Sequence, residues 1–247
     1  SGLMNICNRP PACPGGVDGR GPRVYRYHRR VPSPSLFPDT PPLARHALDV
    51  GGGHVLQVQE FGRADGIPAL VLHGGPGSGC SPLLRRVFDP ARWRIVCPDQ
   101  RGSGGSQPRG GTAHNTTEDL LADLRRIRSQ LQLPRWVVVG GSWGATLALA
   151  HAADQPEAVA ALLLRASFLA RREDIDAFFG PLSLDELAAS LGSPDAAERE
   201  RAALAWWRHE QALAGATAPE PAGESLSAQV DRLRVQAHYL RHGCWLQ

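Results

Sequence analysis

The sequence predicts an α/β domain, a mostly parallel sheet with helices on both faces, followed by a helical lid. Three observations carry this reading. Short apolar runs closed by Gly or Pro alternate with helical patterns. One run, 136–139, passes directly into Gly140-Gly141-Ser142-Trp143-Gly144 and then a helix. After about Ser167 the pattern turns helical and shows no convincing strand.

Ordered structure is expected from about Leu43. Residues 46–50 and 54–60 alternate apolar and polar around Gly51-Gly52-Gly53, the mark of a hairpin. Residues 69–72 and 94–97 read as buried strands, ending in glycines and in Pro98-Asp99. Thr116 or Thr117 caps a helix to about Gln132, with Leu120, Leu121, Leu124, Ile127 and Leu131 on one face. Residues 136–139 form a β-branched strand, 145–153 a helix, and 159–164 the next buried strand. Residues 171–215 and 226–241 are helical and are punctuated by Pro219 and Pro221. The expected organisation is an irregular leader over 1–41, a core over 42–167 and a lid over 168–247.

Composition narrows the function. The 247 residues are 42% hydrophobic and 21% charged, which is globular, and no apolar run reaches 18 residues. The net charge of +3, with no basic helix or aromatic-basic platform, argues against nucleic acid or an anionic membrane as partner. The five cysteines are scattered and form no CxxC pair, so neither a zinc cage nor a disulfide framework is expected, and a reducing, cytoplasmic setting is. The first residues show no basic stretch leading into an apolar one, as a signal peptide requires.

The chemistry centres on Ser142. A G-x-S-x-G between a strand and a helix holds the serine in a strained turn that lifts its hydroxyl above the sheet. Gly140 and Gly144 leave room for strand and helix to approach. The helix beginning near Trp143 aims free N–H groups at the reacting centre. The alternative is a glycine-rich turn with an inert serine. His73-Gly74-Gly75-Pro76-Gly77 follows a strand and suits an oxyanion loop, with N–H donors from Gly75 and Trp143. A phosphate loop would require lysine, and the chain has none. His73 reads as a structural hydrogen-bonder. Asp99 and Arg101, in Asp99-Gln100-Arg101-Gly102, are expected to pair and brace the loop.

Taken in order, His73-Gly-Gly-Pro-Gly77, Asp99-Gln-Arg-Gly-Ser-Gly-Gly-Ser106 and Gly140-Gly-Ser-Trp-Gly-Ala-Thr-Leu-Ala-Leu149 closely resemble the proline iminopeptidase family of α/β-hydrolases. Phe88-Asp89-Pro90, Asn115-Thr116-Thr117 and Gln155-Pro156-Glu157 add to the resemblance, which covers about residues 42–180 well and fades through the lid. It implies the α/β-hydrolase fold and a serine peptidase that releases N-terminal proline from small peptides without metal or cofactor. It also implies Ser142 as nucleophile and Gly75 and Trp143 as oxyanion donors.

In this family two lid glutamates receive the substrate's amino end. One matches Glu210; the other falls at Gln236, which keeps shape but loses a charge. That substitution leaves open a relaxed aminopeptidase, an amidase or an esterase. The family's acid and base follow its lid, in Gly-Arg-Tyr-Asp-like and Gly-Ala-Gly-His-like segments that do not occur here. The expectation is therefore a C-terminally truncated chain without the last strands or the triad Asp and His. A non-catalytic fragment is the remaining alternative. His209, His238 and His242 are expected to be packed or solvated rather than catalytic.

Overall fold

The computed structural model describes residues 36–246; most of the expected leader, 1–35, lies outside the described residues. The elements run β1 (Ala44–Gly51), β2 (His54–Gly62), β3 (Ile67–Leu72), α1 (Pro82–Arg85), β4 (Trp93–Pro98), α2 (Thr117–Gln130), β5 (Trp136–Gly141), α3 (Trp143–Asp154) and β6 (Val159–Arg165). Four helices follow: α4 (Arg172–Phe179), α5 (Leu184–Leu191), α6 (Ala196–Ala214) and α7 (Glu224–Arg241).

The strands form one sheet in the order β1-β2-β4-β3-β5-β6. The β1/β2 and β2/β4 pairs are antiparallel. The β3/β4, β3/β5 and β5/β6 pairs are parallel. The chain leaves β3 for β4 on one side and returns to β5 on the other. Strand order thus reverses at β3, and in open α/β sheets ligands bind at the carboxyl ends of strands at such a reversal. The loops after β3, β4 and β5 all begin there.

Alternation along the strands divides the core in two. Leu56, Val58, Leu70, Leu72, Val96 and Val138 pack with Leu120, Leu124 and Ile127 of α2, Leu147 of α3, and the lid. Phe61, Ala69, Val71, Ile95, Cys97 and Val139 form the other side with Phe88 and Leu84. Helices therefore lie on both faces, although α1 on the second face has only four residues.

Thr116 is the cap of α2. Its hydroxyl accepts the Asp119 N–H, and the Asp119 carboxylate accepts the Thr116 N–H at 2.9 Å. Thr117 instead donates its hydroxyl to Cys244 O at 2.6 Å, tying α2 to the end of the lid. The helix stops at Gln130, two residues early.

One expectation fails. β6 is present but not buried: Leu162 and Leu163 are exposed. Among the described residues β6 pairs only with β5, so it is an edge, and apolar residues alone do not bury an edge strand.

In the lid, α7 buries Leu226, Val230, Leu233, Val235, Ala237, Tyr239 and Leu240. Fully burying a leucine such as Leu233 contributes about 2 kcal/mol, so this row anchors the helix.

Candidate active site

Ser142 stands between β5 and α3 with φ 53° and ψ −121°. Such a conformation costs a non-glycine residue about 1–3 kcal/mol and persists only where its surroundings enforce it. Here the enforcement comes from the backbone. A Cβ on Gly140 would lie 2.1 Å from Gly144 O, and a Cβ on Gly144 would lie 2.2 Å from Leu72 O. The Ser142 N–H donates to Arg165 O at 2.9 Å, which ties the turn to the end of β6. Gly141 and Trp143 are buried while Ser142 itself is exposed. The serine is thus the exposed residue of an otherwise buried turn.

The loop after β3 forms the facing wall. A Cβ on Gly74 would lie 3.3 Å from Ser142 Cβ and 2.8 Å from Gly141 O, so only glycine lets the two walls meet. Gly75 has φ +49°, and its carbonyl accepts the Ser78 N–H at 3.0 Å in a tight turn. The Gly75 and Trp143 N–H groups have no backbone partner among the described residues. The Trp143 N–H belongs to the first turn of α3, where intrahelical acceptors are lacking.

Buried side chains hold these walls together. Trp143 Nε1 donates to Gln100 Oε1 at 2.8 Å. The Gln100 N–H donates to His73 Nε2 at 3.1 Å, and Gln100 Nε2 to His73 O at 3.2 Å. Because His73 Nε2 accepts, its proton sits on Nδ1, which lies 3.1 Å from Gly74 O. Burial holds the His73 pKa below the usual histidine range, so the ring is neutral. His73 Nε2 is thus occupied, and His73 ties the glycine loop to the loop after β4.

The expected Asp99–Arg101 pair does not form. The Asp99 carboxylate accepts the N–H groups of Cys80 (2.6 Å) and Gly105 (2.9 Å) and so joins the loops after β3 and β4. Arg101 makes a bidentate pair with Asp123 of α2, both bonds 2.7 Å, and donates to His114 O at 2.6 Å. These backbone donors lie nearer to the Asp99 carboxylate than the side-chain donor Gln57 Nε2, at 3.3 Å. Sequence reasoning missed Asp123. Its signal was a carboxylate on the apolar stripe of α2, beside Leu120, Leu124 and Ile127.

Helix α7 closes a third side. A Cβ on Gly77 would lie 2.4 Å from Arg232 O, so α7 rests directly on the glycine loop. Gln236 Oε1 lies 3.7 Å from the Cβ position of Gly75. The structure brings Glu210 and Gln236 together through Arg232, another residue not foreseen. The Arg232 guanidinium donates to Glu210 Oε2 at 2.7 Å and to Gln236 Oε1 at 3.1 Å.

The histidines after Ser142 are engaged elsewhere. His151 Nε2 accepts from Trp136 Nε1 at 3.1 Å. His209 contacts Phe178 O at 2.6 Å, His238 contacts Asn115 O at 3.0 Å, and His242 contacts His238 O at 2.7 Å. No group of three or more His, Cys, Asp or Glu fit to hold a metal occurs among the described residues. None of the described helices is long and apolar enough to cross a membrane.

Comparison with known proteins agrees with this geometry. Residues 68–240 match the alpha/beta hydrolase fold family. The proline iminopeptidase of Neisseria meningitidis is 37% identical over 224 residues, covering 81% of this chain and 72% of that protein. The chain belongs to the proline iminopeptidase family of α/β-hydrolases. Another member, from Xanthomonas citri, is 48% identical over 145 residues, covering 59% of this chain and 46% of its own. The chain spans about half the length of the Xanthomonas and Xylella relatives. Among solved structures, Cfl2 from Burkholderia cenocepacia superposes with a TM-score of 0.53 at 22% identity, covering 80% of this chain and 70% of that one, a likeness of fold.

Proposed function

We propose that the protein is a serine aminopeptidase that releases N-terminal proline from small peptides through an acyl-enzyme on Ser142. The observation that carries this reading is the exposed, strained Ser142 beside the glycine loop, with the Gly75 and Trp143 N–H groups lacking backbone partners among the described residues. The serine oxygen attacks the scissile carbonyl, and the two N–H groups receive the negative charge on its oxygen. The amine leaves with a proton, and water then releases the acyl group from Ser142.

A base must take the serine proton, and an acid must orient that base. We assign both to parts of the full-length protein outside residues 36–246. The engagement of His151, His209, His238 and His242 elsewhere supports this assignment. So does the greater length of the relatives. The domain plan of a core over 42–167 and a lid over 168–247 belongs to the same proposal. We also place the protein in the cytoplasm, which the free thiols of Cys80, Cys97 and Cys244 support.

The test is Ser142→Ala in the full-length protein. Hydrolysis of proline arylamide falls by about 10⁴–10⁶, and labelling by a fluorophosphonate probe disappears. Labelling that survives in the variant rules out Ser142. A second reading, hydrolysis of another amide or ester, is favoured by Gln236 in place of a carboxylate. Strong turnover of simple esters without arylamide activity would establish it.

A further inference from the structure

Arg232 lies in the lid with its guanidinium between the two residues that the preceding reading places at the substrate's amino end. It donates from Nη2 to Glu210 at 2.7 Å, from Nη1 to Gln236 at 3.1 Å and from Nε to Gln229 at 2.9 Å. Its side chain is 20% exposed and that of Glu210 16%, so the pair is partly desolvated and stronger than a surface ion pair. The position is fixed from below, because the Arg232 backbone packs on Gly77 and Gln236 meets Gly75. Arg232 therefore stands one helical turn before Gln236, and its guanidinium holds the Gln236 amide beside the glycine loop.

Three consequences follow from charge and valence. Glu210 is already compensated, with its Oε2 occupied by a cation. Gln236 offers its carbonyl oxygen to the same cation and brings no negative charge. Guanidinium has five N–H donors, and three of those of Arg232 are engaged. An incoming ammonium must displace Arg232 from Glu210 or sit beside a like charge. A neutral amide carbonyl can instead accept one of the remaining N–H groups.

We propose that Arg232 is a specificity-determining residue that competes with the substrate's ammonium for Glu210, so that the site accepts acyl groups with a blocked amino end about as well as those with a free one. This extends the substrate class to N-acylated aminoacyl amides and esters. It rests on the preceding reading for the location of the acyl pocket.

The test separates binding from chemistry. In the full-length protein carrying Ser142→Ala, affinities for prolinamide and N-acetylprolinamide are measured by calorimetry at pH 7, where prolinamide is a cation. The two affinities are expected to agree within about threefold. Adding Arg232→Met keeps the apolar stem and removes the charge. Prolinamide then binds about tenfold more tightly, while N-acetylprolinamide, which loses a donor, binds no more tightly than before. Arg232→Lys keeps the charge and the original ratio, which a purely structural role would not predict.

A preference for prolinamide that is the same in all three proteins overturns the proposal. So does failure of the Ser142→Ala protein to bind either amide. Fluorophosphonate labelling of the protein with Ser142 intact reads the nucleophile separately. Labelling together with a failed binding pattern leaves the hydrolase standing and removes the role of Arg232. The expected pattern without labelling does the reverse.

Discussion

A methyl group added at Gly144 would come 2.2 Å from Leu72 O, whereas Gln236 meets the same end of the sheet at an ordinary 3.7 Å from the Cβ position of Gly75. The first contact sets backbone against backbone inside the core. The second sets a lid side chain against the loop. A backbone collision is relieved only by moving a strand or a helix, which disturbs the densely packed layers on both sides. A side-chain contact is relieved by a rotamer change or a substitution. The elbow, and the seat of the α7 backbone on Gly77, are therefore nearly all-or-none, whereas the side chains that α7 presents adjust preference without abolishing chemistry. The proposed nucleophile and oxyanion donors lie in the half that cannot vary, and the groups proposed to choose the substrate lie in the half that can.

The harshest way to break this comparison is Gly144→Ala. Overpacking against backbone carbonyls is expected to cost about 3 kcal/mol or more, with loss of Ser142 labelling even where some protein folds. The check is a urea unfolding curve beside probe labelling. A variant within about 1 kcal/mol of the parent that keeps its labelling would show that the elbow gives way more easily than its contacts imply.

Somewhat smaller is the effect expected at Arg101. Its side chain and that of Asp123 are each 4% exposed, so Arg101→Met strands a buried carboxylate. Removing one partner of a buried pair costs about 3–5 kcal/mol. The double variant Arg101→Met/Asp123→Leu is expected to recover most of that loss, because it removes the uncompensated charge along with its partner. A double variant no more stable than the single would mean that Arg101 acts through its bond to His114 O instead.

The same division explains what was legible in the sequence. Strands β3, β4 and β5, the elbow and the glycine loop were all readable, because glycine, proline and β-branched residues constrain backbone directly. A threonine cap at 116 or 117 and the helical character of 171–215 and 226–241 were readable for the same local reason. The Asp99–Arg101 pairing was misread, since neighbours in sequence offered an obvious partner and the true ones came from Cys80, Gly105 and Asp123. The pattern of 159–164 reads as a buried strand, because an apolar strand looks the same in the middle of a sheet and at its edge; its exposure follows only from the expectation that the last strands are missing, which leaves an apolar edge. Arg232 gave no signal at all: an arginine on a lid helix reads as solvated until α6 and α7 bring Glu210 beside it.

The joint between core and lid offers the mildest and most discriminating probe. The Tyr239 hydroxyl donates to Asn115 Oδ1 at 2.8 Å, and Asn115 Nδ2 in turn holds Arg101 O and Gly111 O. The Tyr239 ring also packs against Trp143, with centroids 5.0 Å apart. Tyr239→Phe keeps the ring and its packing but leaves Asn115 Oδ1 buried without its donor, a cost of about 1–2 kcal/mol. If the lid adjusts while the core dictates, the loss appears as faster hydrogen exchange in α7, and the rate of Ser142 labelling changes less than about threefold. A large fall in labelling with exchange in α7 unchanged would mean that the hydroxyl holds Trp143 and its N–H in place. Tyr239 would then belong with the backbone-determined half of the site.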